Sequence, residues 1–152
     1  MAAKHWRIST LNTNSFRFVG HPVRVHAGSD SINRLAGELD RSNARRALVV
    51  CGNSVAEKTN LGDRVKNALG DRVAEVFSGG KTGSPLTSVL EGVAVAKEAD
   101  ADCVVAVGGG SAVVTARGIT ILLAERGTAQ ELCTQYPDGN PPVSPRLMEP
   151  KI

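Results

Sequence analysis

Three short segments of this chain are wholly or almost wholly apolar, and each is followed by a stretch with helical spacing. Ala47-Leu48-Val49-Val50-Cys51 is the clearest of the three. A strand buried on both faces reads this way, whereas a half-exposed strand alternates apolar and polar residues. Val73-Ala74-Glu75-Val76-Phe77 and Cys103-Val104-Val105-Ala106-Val107 are the other two. Leu61, Val65, Ala68 and Leu69 then fall on one face of a helix that Gly70 ends. Leu86, Val89, Leu90 and Val93 mark a second helix, with Ser84 as its cap and Pro85 in its first turn. A third is predicted from about Ser111 to Glu125, stopping at Gly127. Strand and helix repeated three times predict an α/β protein. Its sheet would be open, parallel and Rossmann-like, with right-handed crossovers and helices on both faces.

Two flanking regions read differently. Phe16-Arg17-Phe18-Val19 and Val23-Arg24-Val25-His26 alternate around Gly20-His21-Pro22, which predicts an N-terminal β-hairpin over residues 1–27. A helix should follow it, because Ile32, Leu35, Ala36 and Leu39 share a face and Ser29 or Asp30 can cap it. Five of the seven prolines (Pro137, Pro141, Pro142, Pro145 and Pro150) lie after Gly127. The chain therefore divides into a hairpin (1–27), a Rossmann-like domain (28–127) and an extended Pro-rich linker (128–152). A hairpin ahead of the sheet presents an unpaired edge, and such edges are commonly covered by another subunit, so a homodimer is expected.

Composition narrows the function classes. A length of 152 residues suits one domain. No apolar run approaches the roughly 18 residues of a membrane helix, and the start has no apolar signal core, so a soluble, cytoplasmic protein is expected. Eighteen Lys and Arg against fifteen Asp and Glu give a net charge of +3, and only Arg41, Arg45 and Arg46 are dense. With one Trp, one Tyr and three Phe for stacking, nucleic acid is not an expected partner. The three cysteines are widely spaced and the three histidines lie in the first 26 residues, so no metal site is predicted in this chain.

The strongest chemical signal is Gly108-Gly109-Gly110-Ser111, between a strand and a helix. Ligands of open α/β sheets bind at the carboxyl ends of the strands. Residues without Cβ let the backbone approach a ligand, and the free amides and dipole at the helix start favour a phosphate. A plain turn would need only one glycine. The run is not G-x-G-x-x-G, because Val113 stands at the third glycine position, and Gly80-Lys81-Thr82 is not a P-loop, because Glu75 stands where its leading glycine belongs. The loop from Gly79 through Gly83 to Ser84 is expected to be a flexible rim of the same cleft. At the end of the first strand an acidic residue would bind the adenosine ribose. Gly52, Asn53 and Ser54 stand there instead, which favours NADP over NAD if a dinucleotide binds. The alternative is that Asn53 or Ser54 merely caps a helix.

The stretch 91–111, ending Cys103-Val104-Val105-Ala106-Val107-Gly108-Gly109-Gly110-Ser111, resembles the N-terminal domain of iron-containing (group III) alcohol dehydrogenases, within the dehydroquinate synthase-like superfamily. The similarity extends back to about Phe16. The resemblance implies the nicotinamide dinucleotide-binding half of an oxidoreductase acting on a small alcohol or carbonyl substrate. It implies that Gly108 to Ser111 hold the pyrophosphate, and that the position of Gly52 is an Asp in NAD-preferring members. It also implies that the Pro-rich tail approaches a threonine-rich strand contacting the nucleotide. Where the family has Asp-Thr-Ala-Lys, this chain has Val114-Thr115-Ala116-Arg117, so an acid beside the cofactor is lost. The family's ligands for Fe2+ or Zn2+ lie in a helical C-terminal domain, so neither a metal ligand nor a catalytic residue is expected in this chain. The cofactor-binding candidates are Gly52, Asn53, Gly83, Gly108, Gly109, Gly110, Ser111 and Thr115. A stand-alone, non-catalytic nucleotide-binding module is the competing reading, and a maleylacetate reductase- or glycerol dehydrogenase-like sibling would change only the substrate.

Overall fold

A computed structural model describes residues 23–144 of the chain. Its sheet has three parallel strands, β1 (Ala47–Cys51), β2 (Val73–Phe77) and β3 (Cys103–Val107), in the order β2-β1-β3. All three match the apolar runs. β1 is the middle strand, and each of its five residues is at most 2% exposed.

Both faces of β1 are covered, which explains why it shows no alternation. Ala47, Val49 and Cys51 pack with Leu39 of α1 (Leu35–Arg41) and with Val65 and Leu69 of α3 (Leu61–Leu69). Leu48 and Val50 face the other way, onto Val89, Val93 and Ala96 of α4 (Leu86–Glu98) and Ala116 and Ile119 of α5 (Gly110–Ala124). Each large aliphatic side chain buried this way contributes roughly 1.5–3 kcal/mol. The chain leaves β1 for β2 through α3 on one face, then crosses to β3 through α4 on the other. The strand order thus reverses between β1 and β3.

At the amino end of the sheet, the Asp102 carboxylate accepts the backbone N–H groups of Arg45 and Arg46, each at 2.8 Å. The Arg46 guanidinium donates to the carbonyls of Ala99 (2.6 Å) and Asp100 (3.1 Å), closing the end of α4. On α1, Glu38 gathers His26 (3.0 Å), Arg24 (2.9 Å) and Arg41 (3.6 Å). The hydrogen bond from His26, then that from Arg24, holds the Glu38 carboxyl below the usual carboxylate range.

Several expectations need amending. The first arm of the N-terminal hairpin lies outside the described residues, and residues 23–27 carry no strand. A 3-10 turn, Ser31–Arg34, precedes α1, and Asp30 makes no side-chain cap bond. A short helix that the spacing did not predict, α2 (Asn53–Lys58), follows β1. Pro85, not Ser84, occupies the cap position of α4, because Ser84 is in the left-handed region at φ 44°. Where an extended linker was expected, Thr128 and Glu131 form a reciprocal capping box on α6 (Ala129–Leu132), and Gln135 bridges to Val143.

Candidate functional site

The reversal of strand order leaves a crevice between the carboxyl ends of β1 and β3, the position where open α/β sheets bind ligands. The glycine run forms its β3 side. Gly108 has φ 135°, which only glycine adopts without strain, and Gly109 caps α5 with extended backbone. A Cβ added at Gly109 or Gly110 would meet nothing within 4 Å. Packing therefore gives no reason for glycine at these two positions, whereas a ligand drawn against the backbone would. No side chain caps α5 and no acidic residue stands in its first turn, so its leading amides and the positive end of its dipole face the crevice uncompensated.

Gly52 ends β1 on the opposite side. A Cβ there would lie 3.0 Å from the Gly80 carbonyl, and one on Gly80 would lie 2.8 Å from the Cys51 carbonyl. The Gly80 N–H donates to that same Cys51 oxygen at 3.0 Å, and Gly52 is bridged to Gly79. The small size of Gly52 thus has a packing cause of its own. Asn53 opens α2, is exposed, and makes no cap bond, so the capping alternative does not hold.

The loop from Gly79 to Ser84 is fastened rather than flexible. Besides the Gly80–Cys51 bond, the Ser84 N–H donates to the Lys81 carbonyl at 2.9 Å, with Gly83 at φ 78° as the third residue of the turn. Ser84 Oγ then donates to the Ser111 carbonyl at 3.0 Å, joining the loop to the first turn of α5. Sequence reasoning missed this anchor. The turn geometry accounts for Gly83 without a ligand.

Thr115, a cofactor-binding candidate, lies in the second turn of α5. Its side chain is fully buried between α4 and α5 and has no surface to offer a ligand. Its hydroxyl and that of Ser88, equally buried, have no hydrogen-bond partner. Ser84 meets Ser111, and a Cβ on Gly92 would meet Ile119, so Ser88 and Thr115 share the intervening level of the seam. Val114, which stands where the resemblance implied an acid, is 55% exposed.

Beside Gly108 a groove of about 410 Å3 is floored by Leu35, Leu61, Val65 and Val107, with His26 and Glu38 also in its wall. Two of the thiols are poor nucleophiles: burial pushes Cys51 up, and burial and Asp102 push Cys103 up to about 11. Among the described residues no group of three or more His, Cys, Asp or Glu is placed to hold a metal ion, and no helix is long and apolar enough to cross a membrane.

A model described as iron-containing alcohol dehydrogenase matches residues 22–148. The chain is 41% identical over 106 residues to maleylacetate reductase 2 of Cupriavidus pinatubonensis, covering 68% of this chain and 29% of that protein. It is 38% identical over 102 residues to the maleylacetate reductase of Sphingobium indicum, covering 67% and 28%. The crystal structure of maleylacetate reductase from Agrobacterium tumefaciens superimposes with a TM-score of 0.62 at 29% identity, over 71% of this chain and 30% of that one.

Proposed function

Since this chain belongs to the iron-containing alcohol dehydrogenase family, we propose that it binds a nicotinamide dinucleotide in the crevice between β1 and β3. The pyrophosphate lies against the amides of Gly109, Gly110 and Ser111, with Gly108 giving the turn its shape. The observation that carries this reading is the pair of glycines that no contact among the described residues requires, at the uncapped start of a fifteen-residue helix. Gly52 and Asn53 border the adenosine ribose. With no carboxylate there to accept ribose hydrogen bonds or repel a 2′-phosphate, NADP is favoured over NAD.

In the whole protein the cofactor exchanges hydride with an alcohol or carbonyl substrate. The chain spans under a third of the length of its curated relatives. The described residues do not fit a metal ion, lacking a suitable donor set, and their part is to bind and orient the nucleotide. The named relatives favour a keto acid of the maleylacetate type as substrate over a simple alcohol.

Titration with NADPH and NADH, followed by nicotinamide fluorescence, tests the reading beside a Gly110→Asp variant. The new carboxylate suits a helix start and its Cβ has open space, so the fold is retained while the phosphate is repelled. Saturable binding lost in the variant is expected. Equal binding by both proteins would refute the assignment.

A further inference from the structure

Lys81 is the sole charged residue of the loop from Gly79 to Ser84. It is exposed, and it enters no ion pair among the described residues. Its backbone is held on both sides. Gly80 is bonded to Cys51 at the end of β1, Ser84 closes a turn onto the Lys81 carbonyl, and the Ser84 hydroxyl reaches α5. The stem of this side chain is thus fixed one residue from the point where the loop touches β1. At that end of the crevice Gly52, Asn53 and Ser54 are neutral, and the next acidic residue along the chain is Glu57.

An acid after the first strand of a dinucleotide crevice accepts the ribose hydroxyls, whereas a nearby cation accommodates a 2′-phosphate. We propose that Lys81 is a specificity-determining residue, its ammonium pairing with the 2′-phosphate of NADP at the β1 end of the crevice. The assignment rests on the dinucleotide reading above and adds to it the group that distinguishes the two cofactors. Lysine acts here as a point charge on a flexible stem, which needs no fixed fork geometry, so arginine can replace it.

The test is a titration of the full chain with NADPH and with NADH, for the unsubstituted protein and for Lys81→Ala, Lys81→Arg and Lys81→Glu. The unsubstituted chain should prefer NADPH. The ratio of the two affinities should fall about tenfold in Lys81→Ala, the scale of one exposed ion pair to a doubly charged group. It should be retained in Lys81→Arg and fall further in Lys81→Glu. The preference should also shrink as salt is raised. Parallel changes for both nucleotides, no change for either, or no initial preference for NADPH would each overturn the role of Lys81 while leaving the crevice assignment intact. If the unsubstituted chain binds neither nucleotide, the crevice assignment itself falls, and the role of Lys81 with it.

Discussion

Replacing Gly92 with alanine puts a methyl group where α4 and α5 meet. The added Cβ would stand 3.0 Å from Ile119 Cγ1 and 3.0 Å from the Phe77 ring, and closer still to Ile119 Cδ1. Neither neighbour has room to yield. Ile119 is fully buried, and the Phe77 ring is already hemmed in by Gly79, whose own Cβ would strike it. Overpacking of this kind costs roughly 1–3 kcal/mol, and overlap with three atoms of two boxed side chains places it near the upper end. Alanine returns about 1 kcal/mol of helix propensity, which leaves a net loss of about 2 kcal/mol. For a chain of this size that lowers Tm by about 4–8 °C. The control is Gly37→Ala in the exposed interior of α1, where a Cβ meets nothing within 4 Å and the same propensity acts alone. That variant should gain about 0.5–1 kcal/mol. Thermal unfolding followed by circular dichroism reads both. A higher Tm for Gly92→Ala, or the same sign for both variants, would refute the argument that the seam is closed by contact with glycine.

Asp102→Ala removes the acceptor of two exposed backbone N–H groups and should cost about 0.5–1.5 kcal/mol in urea unfolding, with Asp102→Asn recovering part of it. Burial pushes this carboxyl up, but the bonds from Arg46 and Arg45 outweigh it, so its pKa in the folded protein lies below 3.8. Its contribution is therefore complete above about pH 4 and lost as the pH falls below that. A pH series comparing the parent with Asp102→Asn should show the difference shrinking only on the acid side. Of the three cysteines, the exposed Cys133 should react first with a chromogenic disulfide at neutral pH, and Cys51 only after unfolding. Rapid labelling of Cys51 in the folded chain would contradict its burial in β1.

The strands were legible because burial on both faces leaves an unmistakable mark: β1, β2 and β3 coincide with the apolar runs to the residue. α2 was not, because its six residues contain only Val55 and Ala56 as apolar members and no period can show. α6 left a signal that went unread, Thr128 followed three residues later by Glu131. The glycine run stands between β3 and α5, as its flanking patterns predict, but three other candidates also meet structural needs that no local pattern announces. Gly52 answers to the Gly80 backbone, Gly83 to a turn, and Thr115 to a helix seam. No sequence pattern announces that Ser84 reaches across to the carbonyl of Ser111.

The central place of β1 also has a consequence during synthesis. Ala47 pairs with Val73 on one side and Cys103 on the other, so the strand is translated 26 residues before its first partner begins and 56 before its second. At about 5–20 residues per second, the wait for the second partner is roughly 3–11 s. Until β2 is made the nascent chain carries five consecutive apolar residues with no strand to receive them, and one edge of β1 stays unpaired until β3 follows. Arg45 and Arg46 immediately precede the strand. In the finished domain the Arg45 guanidinium lies 4.0 Å from Asp40 and that of Arg46 bonds the Ala99 and Asp100 carbonyls; before the sheet is complete, charges flanking an apolar run of this kind act as gatekeepers against self-association.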